Sequence, residues 1–85
     1  MDIELELFGA LRDLEAGDRL RLPVPGETVA DLREALTVYA TGHWPRIAAG
    51  LLKSCAFATA DSVLRDSAPL PADGHMVVLP PVSGG

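Results

Sequence analysis

The sequence predicts a single α+β domain in which one main helix packs on one face of a mixed sheet. Two stretches alternate apolar and charged residues, one repeats apolar residues every three or four positions, and two later stretches are short and apolar. The chain has 85 residues, which is enough for one core. A domain of this size buries little more than about 60% of its unfolded surface. We therefore do not expect a self-contained enzyme with a deep cavity of its own.

Two amphipathic strands are predicted near the start of the chain. In residues 3–8 apolar side chains alternate with two glutamates, and after a loop through residues 9–17 the alternation returns in residues 19–24 with two arginines. Antiparallel pairing would place these arginines beside the glutamates, a contribution of about 0.2–1 kcal/mol per pair. We therefore interpret the acidic side chains as a solvated sheet face and not as a catalytic cluster.

The hydrophobic period changes after Thr28 and predicts a helix over residues 29–41. Thr28 suits the N-cap position, and Asp31 takes the place of the capping-box partner three residues later. Gly42 is expected to end the helix in a left-handed conformation, and Pro45 prevents its continuation.

The remaining elements are shorter. Residues 46–52 predict a short second helix, residues 53–59 a strand, residues 61–74 a loop that ends in a turn, and residues 76–79 a buried strand. The main order is strand, strand, helix, strand, strand. With the last strand beside the first, this order predicts a β-grasp fold, and a ferredoxin-like arrangement is the alternative.

Composition excludes several classes of function. Seven basic against 12 acidic residues give a net charge of −5, which disfavours nucleic acid and favours a basic protein partner. The single cysteine, Cys55, rules out an internal disulfide and a multi-cysteine zinc site. No apolar run has the length of a membrane span, and Asp2 and Glu4 stand where a signal peptide would be basic. We therefore expect a cytoplasmic protein that binds neither membranes nor nucleic acid.

The chain ends in an uncharged segment, Pro80-Pro81-Val82-Ser83-Gly84-Gly85. The prolines cannot donate to a sheet ladder, so we expect a domain over residues 1–81 and an extended arm over residues 82–85. Five residues from Pro81 onward reach roughly 17 Å, enough to enter a partner's active site. Glycines at the last two positions leave no Cβ near the terminal carboxylate.

A terminal carboxylate is ionised at neutral pH, so it can attack an activated phosphate but cannot itself accept a nucleophile. Another enzyme must activate it. The acyl group formed could then carry sulfur or become attached to an amine, which predicts a covalent carrier or a covalent modifier. The alternative is a frayed terminus without chemical function.

The segment from Leu79 to Gly85 resembles the C-terminal signature of the molybdopterin synthase small subunit, the MoaD family of ubiquitin-like sulfur carriers. Residues 7–14, 28–32 and 70–81 are also similar to that family. Two departures are His75, where an acidic residue is usual, and residues 58–61, which lack the usual asparagine. Both lie outside the arm.

The resemblance implies a sulfur-carrier cycle. An E1-like adenylating enzyme would use ATP and Mg²⁺ to activate the Gly85 carboxylate, and a sulfur donor would convert it to a thiocarboxylate. The arm would then enter the large subunit of a heterotetrameric synthase, where the sulfur attacks the cyclic pyranopterin precursor in molybdenum cofactor biosynthesis. On this reading the chain binds no cofactor or metal and the active site lies on the large subunit.

Several other residues are predicted to belong to a partner surface, to the core or to the exposed surface. Phe8 and Leu79 are predicted to form an apolar partner surface, and the resemblance places Arg12 near the activating enzyme, with a solvated charge as its alternative. Cys55 and Trp44 are expected in the core. His43 and His75 have no neighbouring ligands in the sequence and are expected to be exposed.

Three alternatives to the molybdopterin pathway stay open. The first is a sulfur carrier for thiazole, cysteine or tRNA thiolation, because the same chain end serves each of these reactions. The second is a ubiquitin-like modifier whose Gly85 forms an isopeptide bond with lysine. The third is a non-covalent interaction domain.

Overall fold

Alternating apolar residues build the first hairpin of this computed structural model, which describes residues 1–44 and 49–80. Strand β1 spans Asp2–Leu7 and pairs antiparallel with β2, Arg19–Pro23. The register places Glu4 opposite Arg21 and Glu6 opposite Arg19. The predicted pairing of opposite charges on the wet face is therefore confirmed.

The sheet has five strands in the order β2-β1-β5-β3-β4. Strand β3 is Ala56–Ala58, β4 is Val63–Leu64 and β5 is His75–Leu79. β5 lies parallel to β1, and the other neighbours are antiparallel. This mixed sheet, with the last strand beside the first, confirms the predicted β-grasp arrangement.

The main helix, α1, spans Val29–His43 and begins with the predicted capping box. The Asp31 N–H donates to Thr28 Oγ1 at 3.3 Å, and the Thr28 N–H donates to Asp31 Oδ2 at 3.1 Å. The Thr28 N–H, the Thr28 hydroxyl and the Glu27 N–H all donate to the Asp31 carboxylate, and these bonds hold the pKa of Asp31 below its ordinary value.

The expected end of α1 at Gly42 is wrong. The helix continues through Gly42, whose φ is not positive, and its C-cap is Trp44. The Trp44 N–H donates to the Ala40 carbonyl at 2.7 Å, and the indole Nε1 donates to Glu15 at 2.8 Å. Burial of this indole, which is 2% exposed, fixes where the chain leaves the helix and confirms its expected core position.

Several short elements differ from the prediction. The expected loop over residues 9–17 contains two 3-10 turns, Gly9–Leu14 and Ala16–Asp18, and the first buries Leu11 in the core. Helix α2 spans Ala49–Ser54 and so ends two residues beyond the predicted range of 46–52, whereas residues 45–48, which include Pro45, lie outside the described residues. β3 is shorter than the predicted strand, and β4 forms within the predicted loop. Elements this short have few residues from which a period can be read.

The core fills the space between α1 and the face of the sheet that it covers. Its members are Ile3, Leu5, Leu7, Leu11, Leu20, Leu22, Val24, Val29, Leu32, Leu36, Ala40, Trp44, Leu52, Cys55, Phe57, Leu70, Met76 and Val78. Cys55 is buried and His43 and His75 are exposed, as expected. No helix of the described ranges has the length and apolar character needed to cross a membrane.

Arg33 ties α1 to the connection that follows it. Its guanidinium donates to the carbonyl oxygens of Leu52 and Cys55 at 2.8 and 2.7 Å and pairs with Asp66 at 2.8 Å. It also lies 4.8 Å from the centre of the Phe57 ring. The carbonyl groups at the end of α2 are thus satisfied by a side chain that periodicity places only on the margin of the helix face.

Candidate functional site

The parallel pairing of β1 and β5 brings the predicted partner residues to one end of the sheet. The register runs from Glu4 opposite His75 to Leu7 opposite Val78. Phe8 directly follows β1, Leu79 is the last residue of β5, and Pro80 comes next. Because parallel strands end at the same edge, Leu79 and Pro80, here called the arm root, lie beside the end of β1.

Gly9 and Pro80 make the closest contact at this root. Gly9 has a φ of +59°, and a Cβ built on it would lie 2.8 Å from Pro80 Cγ. Only glycine meets both conditions without strain, since a side chain disfavours the left-handed backbone and would overlap the proline ring. The turn after β1 therefore packs directly against Pro80, the first residue of the uncharged C-terminal segment.

Phe8 and Arg12 face a shallow depression of about 230 Å³ beside this root. Phe8 is 42% exposed, unusual for a large apolar side chain in this chain. Arg12 Nη2 lies 3.7 Å from Asp18 Oδ2, and both side chains are largely exposed. An ion pair in such an environment contributes little to stability, so the guanidinium can exchange this carboxylate for one on a partner.

The face of the sheet opposite α1, here called the open face, changes character from one edge to the other. The register aligns one row of residues across all five strands, in the order Arg19, Glu6, Val77, Ala58 and Val63. The row passes from charged to apolar at β5. The half of the open face formed by β5, β3 and β4, which includes Leu79, is therefore apolar, as the core of a protein interface usually is.

The charged half of the open face centres on Glu4. Its carboxylate lies 3.7 Å from Arg19 Nη1, 3.6 Å from Arg21 Nη2 and 3.4 Å from His75 Nδ1. A depression of about 380 Å³ lies over this group and reaches Val77. These side chains form a rim beside the apolar half, and we find no sign of a catalytic carboxylate pair among them.

The terminal residues Pro81, Val82, Ser83, Gly84 and Gly85, which carry the predicted chemistry, lie outside the described residues. Within the described ranges no group of three or more His, Cys, Asp or Glu side chains has the arrangement of a metal site. Cys55 is a poor nucleophile because its burial raises the pKa of the thiol, and the Arg33 charge opposes this only in part.

The sequence analysis names Phe8, Arg12, Leu79 and Pro80 as candidate site residues, and the structure places them at one end of the sheet, but it does not single out Gly9. The signal was present, since a glycine directly after a strand marks a bend or a close backbone approach. What the sequence does not show is which residue approaches. Only the parallel pairing of distant strands makes that residue Pro80.

The fold and this chain end define a class, the ubiquitin-like β-grasp domains. The ThiS family matches residues 5–85 of the sequence. The chain therefore belongs to the ThiS family, whose members are ubiquitin-like sulfur carriers. Among solved structures, SAMP1 from Haloferax volcanii is similar, with a TM-score of 0.69 at 22% identity over 100% of both chains. No curated protein matches the chain.

Proposed function

We propose that this chain is the sulfur-carrying small subunit of a molybdopterin synthase. The observation that carries the proposal is Pro80, which follows β5 against Gly9 and begins the uncharged sequence Pro80-Pro81-Val82-Ser83-Gly84-Gly85. The family match supports it because it extends to the last residue. The resemblance of residues 79–85 to the small-subunit signature favours molybdopterin among the possible products.

The chemistry takes place at the Gly85 carboxyl carbon. A carboxylate oxygen attacks the α-phosphorus of ATP on the E1-like enzyme, with Mg²⁺, and pyrophosphate leaves. Sulfur at the oxidation level of hydrosulfide, supplied by the donor, then displaces AMP from the acyl carbon, which gives a thiocarboxylate. On the large subunit its sulfur forms a C–S bond to the cyclic pyranopterin precursor and displaces an oxygen substituent, and water cleaves the resulting thioester, so that the sulfur stays on the product and the Gly85 carboxylate is restored. ATP, Mg²⁺ and precursor are thus bound by partners, and this chain supplies a soft nucleophile on a narrow arm.

The apolar half of the open face and Phe8 form the docking surface for these partners. Leu79 and Val77 are partly buried and Phe8 is 42% exposed, so a partner can bury them without unfolding anything. Arg12 lies at the edge of this surface and pairs with an acidic group of the activating enzyme. We propose a cytoplasmic heterotetramer in which two large subunits form the centre and each receives one arm.

The test is reconstitution with the adenylating enzyme, the sulfur donor and the large subunit, followed by intact mass spectrometry of the small chain. We expect a mass shift that corresponds to one oxygen replaced by sulfur, and then formation of the dithiolene product. Deletion of Gly85 should abolish transfer without unfolding the domain. Gly84→Val should impair activation or transfer, because a β-branched side chain widens the arm.

Each outcome separates the alternatives. A thiocarboxylate that forms but yields product only with thiazole, cysteine or tRNA acceptors would move the chain to another sulfur pathway. Adducts joined to lysine would identify a modifier. Full transfer by the Gly85 deletion would overturn the carrier mechanism.

A further inference from the structure

Strand β2 lies at one edge of the sheet, and the hydrogen bonds around it show which of its backbone groups point outward. The Val24 N–H donates to the Met1 carbonyl at 2.8 Å, and the Met1 amino group donates to the Val24 carbonyl at 2.9 Å. Since directly opposed pairs alternate along an antiparallel ladder, Leu20 and Leu22 also direct their N–H and C=O groups towards β1.

The intervening residues Arg19, Arg21 and Pro23 therefore direct their backbone groups away from the sheet. Arg19 and Arg21 offer both a donor and an acceptor, whereas Pro23 offers only its carbonyl. An added strand can pair with this edge as far as Pro23, where the donors end. Pro23 therefore limits strand addition at one end of this edge, but Arg19 and Arg21 can still pair with an added strand.

An apolar groove of about 480 Å³ lies between this edge strand and α1. Leu22 and Pro23 line it on the strand side, and Ala35, Val38 and Tyr39 line it on the helix side. Val38 is 69% exposed, more than any other large apolar side chain in the described residues. A single exposed valine is ordinary, but this one stands over a groove that runs beside an open strand edge.

The charged side chains that line the groove are both acidic, Asp31 and Glu34. No lysine or arginine of the described residues lines it. Asp31 is ionised, since the capping hydrogen bonds stabilise its carboxylate. A second copy of this chain, with its net charge of −5, matches the groove poorly, and a segment with cationic side chains matches it well.

We propose that the β2 edge and this groove bind an extended segment of a partner protein as an additional strand, with apolar and basic side chains directed into the groove. In a strand alternate side chains point to one face, so one row fills the groove and the other lies beside Arg19 and Arg21 on the open-face side. The first row must combine apolar residues with Lys or Arg. The second row must be neutral or acidic.

The site is separate from the chemistry of the chain end. It lies at the β2 edge, whereas the arm root follows β5 near the middle of the sheet. A partner bound at the β2 edge leaves Phe8 and Leu79 accessible. Binding at the β2 edge therefore does not depend on sulfur transfer, and the Gly85 deletion should bind the segment as well as the full chain does.

The probe is the capped peptide Lys-Thr-Val-Thr-Val-Thr-Lys, titrated into the ¹⁵N-labelled full chain and followed by NMR chemical shifts. We expect shifts at Val38, Ala35 and Arg21 and slower hydrogen exchange of the Arg21 amide. Replacing both lysines of the peptide by glutamate should weaken binding on the order of tenfold. A peptide of the same composition with adjacent valines should also bind more weakly, because it breaks the apolar row.

A matched pair of variants tests the location. Val38→Asp should weaken binding by about tenfold, whereas Val63→Asp, at the opposite edge of the sheet and similarly exposed at 64%, should not change it. Equal effects of the two substitutions would overturn the groove as the site. Equal binding of the lysine and glutamate peptides would overturn the basic partner.

Methylation of single peptide nitrogens tests strand addition itself. In an antiparallel complex the threonine amides pair with β2, and in a parallel complex the valine amides do. Methylation of the central threonine or of a neighbouring valine should therefore abolish binding in one case and leave it nearly unchanged in the other. Equal effects at both positions would show that no strand is added.

Discussion

The two faces of the sheet are made by the same strands but have opposite roles. On the face covered by α1, Leu5, Met76, Val78 and Phe57 are all buried, and none of the described polar residues is buried with them. On the open face the intervening residues are charged towards β2, whereas towards β4 they are apolar and range from the buried Ala58 to the exposed Val63. One alternation therefore separates a face that is buried in the core from a face on which we propose that partners bind.

The difference teaches where function can change without loss of the fold. A residue on the covered face fills a defined space, so its removal leaves a cavity. A residue on the open face loses only contacts with solvent or with other exposed side chains, and its removal is costly only when a partner is bound. The following predictions test this separation.

The largest effect should come from two phenylalanines on opposite sides of this boundary. Phe57→Ala should lower the free energy of unfolding by about 3–5 kcal/mol, because the ring is fully buried and Arg33 packs over it. Phe8→Ala should lower it by no more than about 0.5 kcal/mol. Urea denaturation of both variants measures the two values.

The same pair should separate in the opposite sense in partner binding. Phe8→Ala should weaken the complex with the adenylating enzyme or the large subunit by on the order of 2 kcal/mol, as expected for a central aromatic anchor. Val38→Ala, at an exposed position of α1 away from the open face, serves as the control and should bind normally. Similar stability losses for Phe57→Ala and Phe8→Ala would contradict the separation of the two faces.

Two glycines test the contact at the arm root. Gly17 has a φ of +78° with no atom within 4 Å of a built Cβ, so Gly17→Ala should lower the free energy of unfolding by about 1 kcal/mol, the cost of a left-handed backbone with a side chain. Gly9→Ala should lower it by this amount and by roughly another 1 kcal/mol, because its Cβ would overlap Pro80. Thermal unfolding in parallel gives the difference.

The alternative response of Gly9→Ala is displacement of the proline. NMR shifts of Val78 and Leu79 would then change, and sulfur transfer would fall while the stability matches that of Gly17→Ala. Equal stability, unchanged shifts and unchanged transfer in the two variants would show that Gly9 does not hold the root.

The pH dependence of stability tests the start of α1, on the covered side. The folded pKa of Asp31 lies below its ordinary value of 3.8, so the carboxylate stabilises the fold above that value and this contribution is lost as the pH falls through the folded pKa. Asp31→Asn should lower Tm most above about pH 5 and least in acid. Asp61→Asn, at an exposed loop position, should follow the unmodified chain. A Tm difference independent of pH would contradict an ionised cap.

The sequence predicted those parts of the fold that repeat a pattern over several residues. β1, β2 and the start of α1 were correct because alternation and the Thr28–Asp31 spacing are local signals. The end of α1 was not, because it depends on a distant partner, Glu15, which binds the Trp44 indole, and β4 was not, because two residues are too few to show an alternation. Local propensity at Gly42 was overridden by burial of the indole.

The candidate site was predicted by chemistry and only partly by geometry. The composition of residues 80–85 predicts a covalent carrier or modifier, and this prediction does not depend on the fold. That Phe8 lies beside this segment follows from the parallel pairing of β1 and β5, which the β-grasp prediction includes. The β2 groove was not predicted, because it depends on the distance between a helix and an edge strand.

The smallest effect should come from the charged half of the open face. Glu4 lies within 3.7 Å of two arginines and His75, yet these three partners are more than 60% exposed. Glu4→Gln should therefore lower the free energy of unfolding by less than about 1 kcal/mol. The loss should fade as salt shortens the Debye length from about 30 Å at 0.01 M to about 3 Å at 1 M.

Glu34→Gln, which removes an exposed acidic group from the helix, is the control and should show no such salt dependence. A loss of several kcal/mol that persists in high salt would mean that the open face supports the fold as the covered face does. A small, screened loss would leave these charges the role of orienting a partner before contact, since long-range attraction affects association more than stability.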